Sequence, residues 1–314
     1  MPTELSPDVA AFLELLAEGP KLSFRDLPVE EARAAADQVG ALFDAPADPT
    51  VGVEDAVCKT AERNIAVRCY TPRGADAAAP AIVFAHGGGW ITGGIEGYDS
   101  FCRFLAARSG LRVVSVDYRR APEAVHPAAL DDVEAAARWV GGGGSPLGRV
   151  GGLVLAGDSA GGQLAAALGG GSAAAGLDVR ALLLLYPVTD LSRRAPSYAQ
   201  FAEGYLLTAD DMDYFISSYA PDAATRLQPD CSPLLGVAAA PSLPPVVVLT
   251  CSHDVLRDEG RAYAEACRAR GIEVRYIEAK GHVHGIAVLR KIAPSAVAWL
   301  EQAIDELLVV ANPG

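Results

Sequence analysis

Short apolar runs alternate with longer amphipathic stretches from residue 80 onward. A run that is apolar almost throughout, with no polar alternation, is typical of a strand buried on both faces of a parallel sheet. Strands are predicted at residues 80–86, 111–117, 152–157, 180–187, 245–251 and 273–279, and several of these runs are of this kind. Helices are predicted at 98–109, 128–140, 160–169, 258–270 and 294–310. This alternation predicts an α/β fold with a mostly parallel central sheet flanked by helices.

Two segments before residue 80 have a different pattern. "VEDAVCKT" and "NIAVRCYTP" read as strands separated only by a short polar turn. Strands joined by so short a connection pair antiparallel, because a parallel pair needs a longer crossover. We therefore expect an antiparallel pair at one edge of the sheet.

Two regions break the alternation. Residues 1–50 are helical and rich in Ala and Glu, and residues 190–236 combine helical pieces, clustered aromatic side chains and several prolines. We expect them to form a mobile cover over the carboxyl edge of the sheet, where α/β folds bind their ligands. Surface helices without that role are the alternative. The catalytic core is then predicted at 51–189 and 237–314.

Composition and charge narrow the function classes. The chain has 314 residues and a formal net charge of -13, which disfavours nucleic acid or an anionic membrane as a partner. The acidic N-terminus lacks the pattern of a secretory signal, and no apolar run is long enough to span a bilayer. The 6 cysteines form no C-x-x-C pair and have no histidine at metal-ligand spacing. We expect a soluble cytoplasmic protein without a bound metal or organic cofactor.

The stretch "LVLAGDSAGGQLAAAL" contains the pattern G-x-S-x-G at Gly157-Asp158-Ser159-Ala160-Gly161. A predicted strand precedes the motif and a predicted helix follows it, which is the context that a nucleophilic serine on a sharp turn requires. The neighbours two residues away must then be small, or the strand and the helix could not approach each other. Ser159 is therefore the candidate nucleophile, and Asp158 is a candidate supporting residue.

A glycine-rich segment, "HGGGW", follows another predicted strand. Its glycines expose backbone N–H groups that could stabilise the anionic oxygen of a tetrahedral intermediate. We assign this oxyanion hole to Gly88, Gly89 and Ala160, and we expect His86 to brace the loop by hydrogen bonds. A plain glycine-rich turn is the alternative, but a second matched motif in the right order disfavours it.

A serine nucleophile needs a base and a group that orients the base. Asp254 follows the strand at 245–251, whereas Asp258 and Glu259 are better placed to begin the next helix. His282 and His284 both follow the last predicted strand. We expect their imidazoles to point in opposite directions, so that only one of them can face Ser159.

Taken together, these residues resemble the bacterial hormone-sensitive-lipase family of α/β-hydrolase carboxylesterases. The resemblance covers roughly residues 50 to 310 and rests on "HGGGW", "DYRRAPEAVHPAALDD", "GDSAGG", "YPVTDLS", "DVLRDEG" and "HVHGI". It implies that Ser159 is the nucleophile, Asp254 the triad acid and His284 the base. It also implies that residues 1–50 and 190–236 form a helical cap, and it suggests a homodimer. Arg120, Val255 and Ile286 depart from the usual family residues, which leaves the pocket shape open.

The expected function is hydrolysis of short- to medium-chain acyl esters through an acyl-enzyme intermediate. The expected substrates are therefore small molecules. Two alternatives remain at this stage. One is amide or carbamate cleavage by the same triad. The other is a ligand-binding protein on an inactive hydrolase scaffold, as in the related plant gibberellin receptors, which lack the triad histidine that is present here.

Overall fold

The computed structural model describes residues 4–19, 24–171 and 174–311, and a central sheet of 8 strands organises them. The strands are β1 (Gly52–Lys59), β2 (Asn64–Thr71), β3 (Ala81–Ala85), β4 (Arg112–Val116), β5 (Leu153–Asp158), β6 (Val179–Leu185), β7 (Val246–His253) and β8 (Val274–Val283). Their order is β1-β2-β4-β3-β5-β6-β7-β8. Strand β2 runs antiparallel to β1 and β4, and the remaining neighbours are parallel. The predicted α/β fold and the antiparallel edge pair are confirmed.

Helices cover both faces of the sheet, which explains why its central strands are mostly apolar. Every residue of β3, β4, β5 and β7 is buried. Helices α3 (Ile95–Ser109) and α10 (Ala296–Ala311) contribute to the apolar cluster on one face. Helices α4 (Ala128–Gly141), α5 (Ala160–Gly170) and α9 (Arg257–Ala269) contribute to the cluster on the other face. The core thus has the three-layer arrangement typical of buried parallel sheets.

The last strand is longer than predicted. Strand β8 continues to Val283, past the predicted end at residue 279. A register shift opposite Cys251 and His253 of β7 interrupts the regular ladder and allows pairing to resume at Val283. This extension carries the chain directly to His284 at the carboxyl edge of the sheet.

The two segments predicted to form a cap contain the remaining helices. The first holds α1 (Pro7–Ala17) and α2 (Val29–Phe43), and the second holds α6 (Pro196–Gln200), α7 (Ala209–Tyr219) and α8 (Pro233–Gly236). The two segments meet where Phe24 packs against Phe215, with ring centroids 5.3 Å apart. We call residues 24–43 and 190–236 the cap segments below; their separation from the core as a unit stays a prediction. None of the helices in the described ranges is long and apolar enough to cross a membrane.

Candidate active site

Ser159 lies on a strained turn between β5 and α5. Its backbone has φ 52° and ψ -119°, a conformation that non-glycine residues rarely adopt. A Cβ on Gly157 would overlap the Gly161 carbonyl, and a Cβ on Gly161 would overlap the Ala85 carbonyl oxygen. The two glycines are therefore required because strand, turn and neighbouring strand are in main-chain contact, as the motif predicted.

Three side chains form one continuous chain of hydrogen bonds. His284 Nε2 lies 2.9 Å from Ser159 Oγ, and His284 Nδ1 lies 2.7 Å from Asp254 Oδ2. An ionised carboxylate can only accept, so the Nδ1 proton is donated to Asp254 and Nε2 is free to accept from the serine hydroxyl. Asp254 Oδ1 is held in turn by the Leu256 N–H at 2.9 Å. The exposed fraction is 7% for Ser159 and 9% for His284, so little of this hydrogen-bonded chain of residues is open to solvent.

His282 has a different environment. Its Nδ1 lies 2.8 Å from the Lys280 carbonyl oxygen and its Nε2 lies 3.0 Å from Ser295 Oγ. Residues two apart in an unbroken strand share a face, but β8 ends at Val283 and the chain turns at His284. The two imidazoles therefore have separate partners, and of the two it is His284 that contacts Ser159.

The glycine-rich loop contains N–H groups that are candidates for binding an oxyanion. Gly88 and Gly89 have φ 109° and 60°, and among the described residues their N–H groups donate to no backbone acceptor. Ala160 is the first residue of α5, so its N–H has no partner within the helix. A Cβ on Gly89 would overlap the Phe215 ring, so a cap segment closes directly over this loop.

Asp158 joins the serine turn to two neighbouring loops. Its Oδ1 accepts from the Gly87 N–H at 2.7 Å, and its Oδ2 accepts from the hydroxyls of Tyr98 at 3.0 Å and Tyr186 at 3.2 Å. The Tyr186 hydroxyl also accepts from the Ala287 N–H at 3.1 Å, three residues past His284. Burial raises the pKa of Asp158 to about 6, against the opposing effect of these donors.

His86 is buried beneath the glycine-rich loop. Burial lowers its pKa to about 4, so the ring is neutral near pH 7. Its Nδ1 lies 2.8 Å from the Gly87 carbonyl oxygen, and its ring stacks on Tyr118 with centroids 4.2 Å apart. The Tyr118 hydroxyl donates to the His86 carbonyl oxygen at 2.7 Å. These contacts fix the loop between Gly87 and the segment after β4.

One further connection was not predicted from the sequence. Trp90 Nε1 donates to Gln163 Oε1 at 3.0 Å, and Gln163 Nε2 donates to the Asp230 carbonyl oxygen at 2.9 Å. The Trp90 ring also stacks on Tyr219 of α7, with centroids 4.4 Å apart. The end of the glycine-rich loop is thus joined to a cap segment by a side chain of α5, the helix that begins after the serine. Only the position of Gln163 one turn after Ser159 could have suggested this contact.

No group of three or more His, Cys, Asp or Glu side chains in the described ranges is arranged to hold a metal ion. All six cysteines are free and buried. The reacting groups that the structure brings together are the serine, the imidazole and the carboxylate.

Known proteins are similar to this chain over most of its length. A family model described as alpha/beta hydrolase fold matches residues 82–288. Ethyl acetate hydrolase of Pseudomonas putida is 34% identical over 313 residues, 96% of this chain and 98% of its own length. Carboxylesterase NlhH of Mycobacterium tuberculosis is 34% identical over 94% of both chains.

Solved structures of similar proteins superimpose on this chain along nearly its whole length. A thermostable esterase from Pseudomonas putida ECU1011 superimposes with a TM-score of 0.93 at 33% identity and covers 100% of this chain. An esterase of Pyrobaculum calidifontis gives a TM-score of 0.87 at 33% identity over 98% of this chain.

Proposed function

Because this chain belongs to the hormone-sensitive-lipase type of α/β hydrolases and is a carboxylic-ester hydrolase, we propose that Ser159, His284 and Asp254 are its catalytic triad. The observation that carries this proposal is the unbroken contact from Asp254 through His284 to Ser159, at 2.7 Å and 2.9 Å. It is supported by the strained turn that places Ser159 between β5 and α5, at the carboxyl edge of the sheet.

In the proposed reaction, Ser159 Oγ attacks the acyl carbon while His284 Nε2 takes the hydroxyl proton. His284 then donates that proton to the leaving alcohol, and the acyl group stays on Ser159 as an ester. Water, deprotonated by His284, hydrolyses this intermediate and releases the acid. Asp254 holds the imidazole in the required tautomer and stabilises its positive charge.

The N–H groups of Gly88, Gly89 and Ala160 are proposed to bind the oxygen that becomes negative in the transition state. A preorganised donor of this kind is worth about 3 kcal/mol of barrier. His86 and Asp158 are proposed to support that arrangement without touching the substrate. Neutral His86 braces the loop from below, and Asp158 holds the Gly87 N–H at 2.7 Å.

We propose short- to medium-chain acyl esters as substrates. Ser159 is nearly buried, and the Phe215 ring, which packs on Phe24, lies over Gly89 of the neighbouring loop. Such a site suits a small ester better than an emulsified fat surface. The names of the relatives, ethyl acetate hydrolase and carboxylesterase among them, support the same class.

The test is a chain-length series of p-nitrophenyl esters, from acetate through butyrate and octanoate to laurate, with Ser159→Ala as the blank. We expect kcat/KM to be highest among the shorter esters and to vanish in the blank while its circular dichroism stays unchanged. Preference for laurate or emulsified triglyceride would contradict the substrate proposal. A matched p-nitroanilide series tests amide cleavage by the same triad, and we expect it to be much slower.

We also propose a homodimer and a cytoplasmic location. Strand β8 is the last strand of the sheet. The Gly281 carbonyl oxygen near its end accepts from the Ser6 N–H at 2.9 Å, so we propose that the earlier part of its outer edge pairs with a second copy. Six free, buried thiols are compatible with a reducing compartment. Light scattering after size-exclusion chromatography tests the first proposal, and cell fractionation tests the second.

A further inference from the structure

Backbone strain in the described residues is concentrated at the catalytic edge of the sheet, with one unexplained case. Four non-glycine residues there have positive φ: Trp90, Ser159, Tyr186 and Leu206. The first three make hydrogen bonds within the site described above. Leu206, with φ 71°, belongs to a cap segment and has no part in that network. Because strained residues gather where structure serves function, this leucine requires a reason.

The turn around Leu206 is of an uncommon kind. The Leu207 N–H donates to the Tyr205 carbonyl oxygen at 3.0 Å, which closes a three-residue turn centred on Leu206. A γ-turn whose central residue has positive φ is rare and strained. Glycine would adopt this conformation without that cost.

Anchors on both sides impose the turn. The Tyr205 ring stacks on His253, with centroids 5.4 Å apart, and His253 directly precedes Asp254. Leu207, on the other side, packs against the main hydrophobic cluster. The Ala209 N–H donates to the Ala202 carbonyl oxygen at 3.0 Å and closes the base of the loop. The flanking residues are half-buried in these contacts, and the strained residue between them is more exposed.

Leu206 gains little packing from this position. It is 40% exposed, and its Cδ2 lies 4.0 Å from the point where a Cβ on Gly285 would stand. Gly285 directly follows His284. A strained backbone therefore places a half-exposed apolar side chain beside the loop that carries the imidazole.

We infer that Leu206 determines specificity by contacting the apolar alcohol part of the ester. This inference rests on the proposed triad, in which His284 passes its proton to the leaving alcohol. The alcohol part must then lie next to His284, on the side where Leu206 stands, whereas Phe215 lies over Gly89 on the side of the oxyanion loop. Burying an alkyl chain against Leu206 lowers the barrier more for longer alcohols than for methanol.

The experiment compares wild type with Leu206→Gly in two substrate series. One series is methyl, butyl and hexyl acetate, in which only the alcohol changes; the other is p-nitrophenyl acetate, butyrate and octanoate, in which only the acyl chain changes. We expect kcat/KM for hexyl acetate to fall about tenfold while that for methyl acetate stays within about twofold. The ratios within the acyl series should not change. The melting temperature should stay equal or rise, since glycine relieves the strain.

Leu227→Gly is the matched control, because Leu227 is another exposed leucine of the same cap segment. It has no positive φ, so we expect it to lower stability slightly and to leave both series unchanged. Leu206→Asn, with a residue that tolerates positive φ, should reproduce the loss for hexyl acetate if Leu206→Gly fails to fold. Uniform loss across both series, or loss confined to the acyl series, would overturn the inference. Absence of ester hydrolysis in the wild type would instead contradict the proposed function.

Discussion

The catalytic edge of the sheet and the cap segments are held together in different ways. Around Ser159, main chain packs on main chain, so that Gly157 and Gly161 leave no room for a methyl group. The cap segments are attached by side chains, such as Phe215 over Gly89 and Tyr219 on Trp90. Main-chain contacts fix the positions of reacting atoms, whereas side-chain contacts can be exchanged at moderate cost. Changes at the edge should therefore affect turnover, and changes in the cap segments should affect stability or selectivity.

The largest effect is expected from His284→Ala. Removing the proposed base should lower kcat/KM on p-nitrophenyl butyrate by about 10⁴-fold or more, with the fold intact. His282→Ala is the matched control, because this neighbour contacts Lys280 and Ser295 and does not contact Ser159. It should retain most of the activity. The reverse result would assign the base to His282.

Much of the catalytic edge could be predicted from the sequence. Buried parallel strands leave a continuous apolar signal, and the bounds of β3 to β7 deviate from the predicted runs by at most a few residues. The serine turn and the glycine-rich loop also have local signals, because each requires small residues at fixed spacing. Chain order then pointed to Asp254 and to a histidine after the last strand, and both residues lie where that order indicated.

The rest depends on contacts between distant positions, which leave no local pattern. Asp44 and Arg290 are 246 positions apart and form a buried ion pair. Tyr98 and Tyr186 reach Asp158 from separate elements. The strained turn at Leu206 contradicts the preference of leucine, so no propensity argument could have found it. Helix-rich composition predicted the cap segments as helical but gave no information about what each side chain contacts.

The ion pair between Asp44, which directly follows the first cap segment, and Arg290 of the core should give the largest stability effect. Arg290 Nε donates to Asp44 Oδ1 at 2.7 Å and Arg290 Nη2 donates to Asp44 Oδ2 at 2.7 Å, and both side chains are buried. Asp44→Ala leaves a buried guanidinium without its partner and should lower the free energy of unfolding by about 3–5 kcal/mol. Urea denaturation measures this. The double variant Asp44→Ala/Arg290→Met should recover part of the loss; a loss below about 1 kcal/mol in the single variant would mean that the cap segment does not depend on this pair.

Glu259 lies at the base of the second cap segment and should make the free energy of unfolding depend on pH. It accepts from the Thr189 N–H at 2.7 Å, where that segment leaves β6. Burial raises the pKa of Glu259 to about 8 from its usual value of 4.5. The folded protein therefore keeps a proton that the unfolded chain has already released, and the free energy of unfolding falls as pH rises towards 8.

Glu259→Gln keeps the acceptor but cannot ionise, so it should remove this slope. Between about pH 6 and the pKa of about 8, the wild type should lose about 2–3 kcal/mol that the variant retains. Asp158 and His86, with pKa values of about 6 and about 4, titrate mainly below this range. Glu265→Gln, at an exposed position of the same helix, is the control and should keep the wild-type slope. An unchanged slope in Glu259→Gln would locate the titrating group elsewhere.

The smallest effect on stability is expected at a solvent-exposed ion pair between the two cap segments. Asp210 at the start of α7 pairs with Arg25 at 3.0 Å, and their side chains are 62% and 50% exposed. Water screens such a pair, and the helix N-terminus adds little to it, so Asp210→Asn should cost about 1 kcal/mol or less. Urea denaturation at low and high salt measures the effect, which should shrink further as salt rises. A larger loss of unfolding free energy that does not depend on salt would show that this contact resembles the buried Asp44–Arg290 pair. The two cap segments would then be held to each other as firmly as the first cap segment is held to the core.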